Sequence, residues 1–298
     1  MFPTTVRDIS KGKLSFSVYL CNHCNLNCYG CGRWCNLVKH PQFYAYDDIV
    51  RDVTKVVSKG NCRYVSLSGG EPLLHPRIID LIYLLGELKA KYSDLKWTAI
   101  ETNGKRMLKM PAEFYQALKD TDTFILFTRY PSSSKIDYNA ITAKLDSENI
   151  KYQNQLWQTM DDPRAVRFTF KHDGMNAYPI DGDLTDYQKI NFTKYYKTCI
   201  NVCVNLWQGK IFKCSKAGFI DILNDFCNTD IKLEHNISED DPGDYITVDE
   251  YTGIQQFVKW VVKPSPLCRY CQIGETCDFG WYISKDDSVG KLISFIKK

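Results

Sequence analysis

The sequence predicts an α/β fold built on a parallel sheet. Short strand-like apolar runs alternate with amphipathic helical stretches through the first 156 residues. The runs recur too far apart to be joined as hairpins, so each connection has room for a helix. Strand–helix units at this spacing imply helical crossovers between parallel strands. An open or closed barrel and a doubly wound sheet both satisfy the pattern.

The elements follow in order. Leu14, Phe16, Val18 and Leu20 alternate with Ser15, Ser17 and Tyr19, which reads as a first strand. Asp47 and Asp48 open a helix with Ile49, Val50, Val53, Val56 and Val57 on one face, and Gly60 is placed to end it. Tyr64 to Leu67 is a second strand. A second helix runs from about Pro76, with Ile78, Ile79, Ile82, Leu85 and Leu88 inward. Trp97 to Ile100 is a third strand, Pro111 to Leu118 a short helix and Phe124 to Phe127 a fourth strand. Ile136 to Leu145 reads as a helix and Ile150 to Leu156 as a fifth strand.

The pattern breaks near Asp161. A loop-like stretch follows, with one candidate strand at Val166 to Phe170. Val202 to Leu206 and Lys210 to Lys213 flank Gln208-Gly209 as a hairpin. Asn224 to Tyr245 is acidic and irregular. Thr247 and Glu250 form a capping box before a helix carrying Ile254, Phe257, Val258 and Val261, and Pro264 ends it. A domain boundary between Thr159 and Tyr195 divides the chain into residues 1–180 and 181–298.

Composition narrows the class. Hydrophobic residues make up 44% and charged residues 24% of the 298, ordinary for a globular protein. Lys and Arg exceed Asp and Glu by 38 to 35, a net charge of +3. That balance gives no electrostatic case for nucleic acid or an anionic membrane as partner. No apolar run approaches the roughly 18 residues of a membrane span. Met1 to Lys13 lacks the apolar core of a signal peptide, so the expected compartment is the cytoplasm. Thirteen cysteines, an odd number, argue in a reducing compartment for metal or cluster ligation rather than disulfides.

The first strand runs into Cys24-Asn-Leu-Asn-Cys28-Tyr-Gly-Cys31. Three thiolates in one loop at the carboxyl end of a strand sit where α/β sheets and barrels place their sites. A cubane cluster has four irons, so three cysteines leave one iron open to a small ligand. Cys21 and Cys24 also form a C-x2-C pair, and Cys35 can supply a fourth ligand, so zinc remains an alternative for the triplet alone. The second strand ends in Ser68-Gly69-Gly70-Glu71-Pro72. Its glycines let backbone approach a ligand closely, and Glu71 can accept from an ammonium. The third strand ends in Glu101-Thr102-Asn103-Gly104.

CxxxCxxC after the first strand, GGEP after the second and TNG after the third together resemble the radical S-adenosylmethionine (radical SAM) superfamily over roughly residues 14–156. The resemblance implies a partial (β/α)6 barrel. Cys24, Cys28 and Cys31 ligate three irons of a [4Fe–4S] cluster, and S-adenosyl-L-methionine binds the fourth. Gly69, Gly70 and Glu71 hold its amino group, with Asn103 and Thr128 also at the cofactor. Reductive cleavage then gives a 5′-deoxyadenosyl radical, with a flavodoxin or ferredoxin-like electron donor. The chain departs from the family pattern at Gly30, where relatives carry an aromatic residue. It departs again at Thr128-Arg129-Tyr130-Pro131, where many carry Ser and Asp, and Thr128 is the substitute there. Strand five lacks a glycine-rich motif.

A second cysteine set follows: Cys199, Gly209-Lys-Ile-Phe-Lys-Cys214, Cys268-Arg-Tyr-Cys271 and Cys277. It resembles the SPASM extension or its shorter twitch form, a small hairpin-plus-helix iron–sulfur domain. Trp281 stands where another cysteine would continue the full pattern, so one auxiliary [4Fe–4S] cluster is expected. Its ligands are Cys199, Cys214, Cys268 and Cys271, with Cys203 and Cys277 as alternates and a structural zinc site as the rival. Cys21, Cys35, Cys62 and Cys227 read mostly as buried small residues, and Cys62 or Cys227 as a hydrogen-atom donor. Arg129 reads as solvated or ion-paired.

The expected function is an oxidoreductase-type radical SAM enzyme that oxidises or epimerises a small polar substrate such as a sugar, aminocyclitol or glycan precursor. The 23 residues before Cys24 leave no room for a peptide-recognition domain within this sequence. The alternatives are modification of a peptide or protein, including thioether formation and sulfatase maturation, and a non-enzymatic zinc or iron–sulfur interaction protein.

Overall fold

Strand β1 (Leu14–Tyr19) is the hub of the sheet in a computed structural model that describes residues 12–28, 31, 33–130, 134–155, 202–235, 243–261 and 265–267. β2 (Cys62–Ser68) pairs parallel on one side of it. β6 (Val202–Trp207) pairs parallel on the other. Beyond β2 lie β3 (Trp97–Thr102), β4 (Phe124–Thr128) and β5 (Tyr152–Gln155), each parallel to its neighbour. β7 (Lys210–Cys214) and β8 (Tyr245–Thr247) extend the other edge antiparallel. The eight strands run in the order β5-β4-β3-β2-β1-β6-β7-β8. The fold is mixed α/β, with a sheet consistent with a partial-barrel core. The hairpin expected in a separate C-terminal domain is hydrogen-bonded into the same sheet.

The crossovers are helical for the reasons the sequence offers. α1 (Tyr46–Ser58) carries Asp47 and Asp48 in its first turn, where they complement the helix dipole, and buries Ile49, Val53, Val56 and Val57. Gly60 ends it with φ of 77°. α2 (Ile78–Lys91) buries Leu81, Ile82, Leu85 and Leu88. α3 (Ala112–Thr121) stops at left-handed Asp122. α4 (Tyr138–Ser147) is capped by Asp137, whose side chain accepts from Ala140 N at 2.9 Å. These helices and one face of the sheet, with Val18, Val65, Leu67, Ile100, Ile125 and Phe127, form one core. Each fully buried aliphatic side chain there contributes about 1.5–3 kcal/mol.

The opposite face differs. Ser17 and Ser66 face each other in register, and Ser68 and Glu101 follow on the same side. Tyr64, Ala99, Phe124 and Leu126 form a separate apolar cluster below them. Parallel strands buried on both faces are usually apolar on both; here the second face is polar toward the carboxyl end.

Two differences from expectation arise in the C-terminal part. The stretch after Asn224 is not wholly irregular: α5 (Ile220–Cys227) and β8 frame it. Both are short, too short for a clear period. Thr247 and Glu250 do bond reciprocally, but the box closes a turn after β8, and α6 (Ile254–Val261) starts later. The candidate strand at 166–170 and the expected domain boundary lie outside the described residues.

Candidate functional site

The carboxyl ends of β1, β2, β3 and β4 bring the sequence motifs to one edge. The cysteine loop leaves β1 and is tied at once to the end of β2. Leu20 N donates to Ser68 O at 3.0 Å, Gly70 N to Cys21 O at 2.8 Å and Glu71 N to His23 O at 3.0 Å. The two glycines are required by this contact. A Cβ on Gly70 would lie 1.9 Å from His23 O, and one on Gly69, at φ of 122°, would lie 2.7 Å from Cys21 O. Close backbone approach was the reason to expect glycine here, but the close partner is the cysteine loop itself.

Glu71 is fully buried, and its carboxylate is engaged within the protein. It accepts from Thr102 Oγ1 at 2.6 Å, Asn103 N at 2.9 Å and Leu73 N at 3.1 Å. Burial pushes its pKa up to about 6, against the opposing effect of those donors. Glu71 therefore joins the ends of β2 and β3 rather than presenting a free carboxylate.

Asn103 is held on four sides. Its N–H goes to Glu71, its backbone carbonyl accepts from Tyr138 Oη at 3.1 Å, and its Oδ1 accepts from Lys105 N at 2.8 Å. Its Nδ2 donates to Asn25 Oδ1 at 2.8 Å and to Cys24 Sγ at 3.4 Å. Leu26 N donates to the same sulfur at 3.4 Å.

The three thiols of the triplet converge. Cys24, Cys28 and Cys31 share one small apolar cluster with Leu26, Tyr130 and Ile136. Burial, and next the Glu71 charge, push the Cys24 thiol up. A hydrogen bond between Cys31 and Cys35 holds Cys31 below the usual thiol range and pushes Cys35 above it. Burial and then the thiols of Cys28, Cys24 and Cys31 raise Tyr130. Among the described residues, no group of three or more His, Cys, Asp or Glu is arranged around a single metal ion. A cubane makes no such demand, since each thiolate binds a different iron. A soft donor set gathered in an apolar pocket fits that group.

Sequence reasoning missed Arg33 and overlooked the inner face. Arg33 Nη1 donates to Gly69 O at 2.6 Å and to Ser68 Oγ at 3.0 Å, and its guanidinium lies 4.7 Å over the Tyr19 ring. Burial opposes its charge, but Tyr19, Glu101 and the nearby thiols outweigh it and raise the pKa. Glu101 accepts from Ser66 Oγ at 2.6 Å, Ser68 Oγ at 3.0 Å and Ser17 Oγ at 3.2 Å. The period-two serines in β1 and β2 were the available signal.

The remaining expected residues divide. Thr128 ends β4, and its carbonyl, 3.0 Å from Tyr138 Oη, shares that hydroxyl's one proton with Asn103 O. Arg129 is not plainly solvated: its Nε is buried without a hydrogen-bond partner, and its guanidinium stands 5.3 Å from the Tyr138 ring centroid. Cys62 opens β2 at the edge away from the site, six residues before Ser68 or roughly 20 Å at 3.3 Å per residue. That separation sets this expected hydrogen donor apart from the cysteine loop. Cys214 ends β7, half-buried, opposite Val202. Cys199, Cys268, Cys271 and Cys277 lie outside the described residues, as does the side chain of Cys203. No helix of the described residues is long and apolar enough to cross a membrane.

Comparison with known proteins agrees with this edge. Residues 18–129 match the family model of the radical SAM superfamily, a span that begins in β1 and ends just past β4. A probable GTP 3′,8-cyclase of Methanococcus maripaludis is 29% identical over 140 residues, 46% of this chain and 43% of the relative. The 7-carboxy-7-deazaguanine synthase of Clostridium acetobutylicum is 28% identical over 148 residues, 49% of this chain and 58% of the relative. The chain thus spans about half the length of the curated relatives it matches. Among solved structures, anSMEcpe with bound AdoMet superposes with a TM-score of 0.46 at 13% identity, over 95% of this chain and 96% of that one. SuiB of Streptococcus suis bound to S-adenosylmethionine gives 0.38 at 20% identity, over 50% of this chain and 36% of that one. The cysteine loop, the Gly-Gly-Glu turn and the Asn103 turn all fall within the matched span: this chain carries a radical SAM superfamily domain.

Proposed function

We propose that the chain is a radical SAM enzyme acting on a small polar substrate. The observation that carries this reading is the hydrogen-bonded circuit linking the three strand ends around Cys24, Cys28 and Cys31. Cys24, Cys28 and Cys31 would hold a [4Fe–4S] cluster, which together with S-adenosylmethionine and one electron from a donor would supply the chemistry of hydrogen-atom abstraction. Gly69 and Gly70 bring β2 backbone beside the cysteine loop. Glu71 acts through Asn103 and Thr102 rather than directly. Leu26, Tyr130 and Ile136 keep the thiols in apolar surroundings.

The polar inner face supports the substrate class. Ser66 and Ser68 are buried and hold Glu101, which leaves Glu101 and Ser17 as the half-buried polar groups of this face. Such a surface fits a molecule rich in hydroxyl or amino groups better than an apolar one. Of the chemistries open to it, oxidation is the reading we adopt, with an auxiliary cluster at Cys199, Cys214, Cys268 and Cys271 as electron acceptor and a flavodoxin or ferredoxin-like protein as donor. Anaerobic reconstitution tests the centre of the proposal. Wild type should bind about eight irons, two cubanes, and Cys24→Ala/Cys28→Ala/Cys31→Ala should lose about half and all 5′-deoxyadenosine formation. Iron unchanged by the triple substitution, or zinc in its place, would refute it.

A further inference from the structure

We infer that Asn103 is a positioning residue that sets the reduction potential of the cluster at Cys24 through an N–H···S hydrogen bond. The inference rests on the cluster reading above and deepens it. It starts from a placement that reading does not use: a side-chain amide aimed at one of the three sulfurs. Asn103 Nδ2 lies 3.4 Å from Cys24 Sγ, and Leu26 N reaches the same atom at 3.4 Å.

The orientation of the amide is determined by its neighbours. Lys105 N is a donor, so the atom it meets at 2.8 Å must be Oδ1. The other end, the NH2, then faces Cys24 and Asn25 Oδ1. Its two protons serve those two acceptors. Glu71, Tyr138 and Lys105 fix the backbone and side chain, so the donor cannot swing away without breaking several bonds.

The physical consequence follows from charge. Reduction adds one electron to the cluster, and part of that charge spreads onto the ligating sulfurs. An N–H donor stabilises the more negative, reduced state more than the oxidised one. It therefore raises the potential, as hydrogen bonds to cluster sulfurs do in general. Asn103 makes the cluster easier to reduce by an external one-electron donor, at some loss of reducing power.

The test is a potentiometric titration of holoprotein, with dithionite as reductant and the electron spin resonance of the cluster at Cys24 as readout. Asn103→Ala removes the donor. Asn103→Asp keeps the acceptor for Lys105 N but has no N–H. Both are expected to retain wild-type iron and to titrate at a more negative potential, with Asp the lower of the two because it adds a charge. A midpoint unchanged in an iron-replete variant overturns the inference. Loss of the cluster from both variants overturns it as well, because Asn103 would then serve assembly rather than potential. If Ala alone loses iron, the Asp variant decides. Failure of the underlying reading looks different: the wild-type signal would be absent, or would survive Cys24→Ala.

Discussion

Gly70→Ala separates two accounts of why glycine follows strand β2. If the position is open for a ligand, a methyl group harms binding and leaves the apoprotein intact. The structure points elsewhere. A Cβ at Gly70 meets His23 O at 1.9 Å, His23 C at 2.4 Å and His23 N at 2.9 Å, all of it backbone. Ordinary contact begins at 3.4 Å, so the cysteine loop must retreat by about 3.4 − 1.9 = 1.5 Å. That retreat breaks Gly70 N to Cys21 O and Glu71 N to His23 O, about 1 kcal/mol each. Overpacking adds ~1–3 kcal/mol. The sum, about 3–5 kcal/mol, lowers the melting temperature by on the order of 10 °C in a chain this size. Thermal unfolding of cluster-free protein is the assay, with iron retained after reconstitution as a second readout. Gly218→Ala is the control, since its Cβ meets nothing closer than 3.5 Å. A Gly70→Ala protein that melts like wild type and binds full iron would refute the packing argument.

Two further outcomes are expected. Cys62→Ala leaves iron content and 5′-deoxyadenosine formation unchanged while costing about 1 kcal/mol of stability, because the thiol is buried at the far end of β2; solvent deuterium lost from product in this variant would restore Cys62 as donor. Glu101→Gln keeps the fold and substrate-free cofactor cleavage, but lowers kcat/KM for a substrate bound through hydroxyl or amino groups by roughly 10–100-fold, the ~1.5–3 kcal/mol of a hydrogen bond to a charged group; equal kcat/KM would remove Glu101 from the substrate surface.

Much of the fold was legible because apolar period and chain punctuation agree locally. Each of the first five strands and four helices is placed to within a few residues. The errors fall where that agreement ends. α5 has only eight residues and β8 three, too few to display a period. That β6 returns to pair with β1 is a long-range fact with no local signature. The site divides in the same way. The thiol spacing and the Gly-Gly turn are local, so the residues could be named. Their partners are not local: Glu71 looks like a ligand acceptor until Thr102 and Asn103 are seen to occupy it. Arg33 carries no motif at all, since its role depends on Ser68 and Gly69 lying beside it in space.

Why the turn needs a glutamate can be argued from its three donors. Leu73 N, Thr102 Oγ1 and Asn103 N all point at one buried side chain. Only a group that accepts at both ends can meet them. A glutamine would satisfy Leu73 and Thr102 through its oxygen, but would turn an NH2 on Asn103 N, donor against donor. An aspartate is one carbon shorter, about 1.5 Å, and cannot hold β2 and β3 together at the same separation. The burial that lifts the Glu71 pKa is thus a cost of the circuit rather than a feature aimed at catalysis. The circuit runs from the cysteine loop through Gly70 and Glu71 to Asn103, and from Asn103 back to Cys24. Cys24 is positioned from both directions, by the backbone of its own loop and by the end of β3. Motifs separated in sequence by 32 residues (Glu71 and Asn103) to 79 residues (Cys24 and Asn103) are therefore one mechanical unit, and a change at any of them is felt at the sulfur.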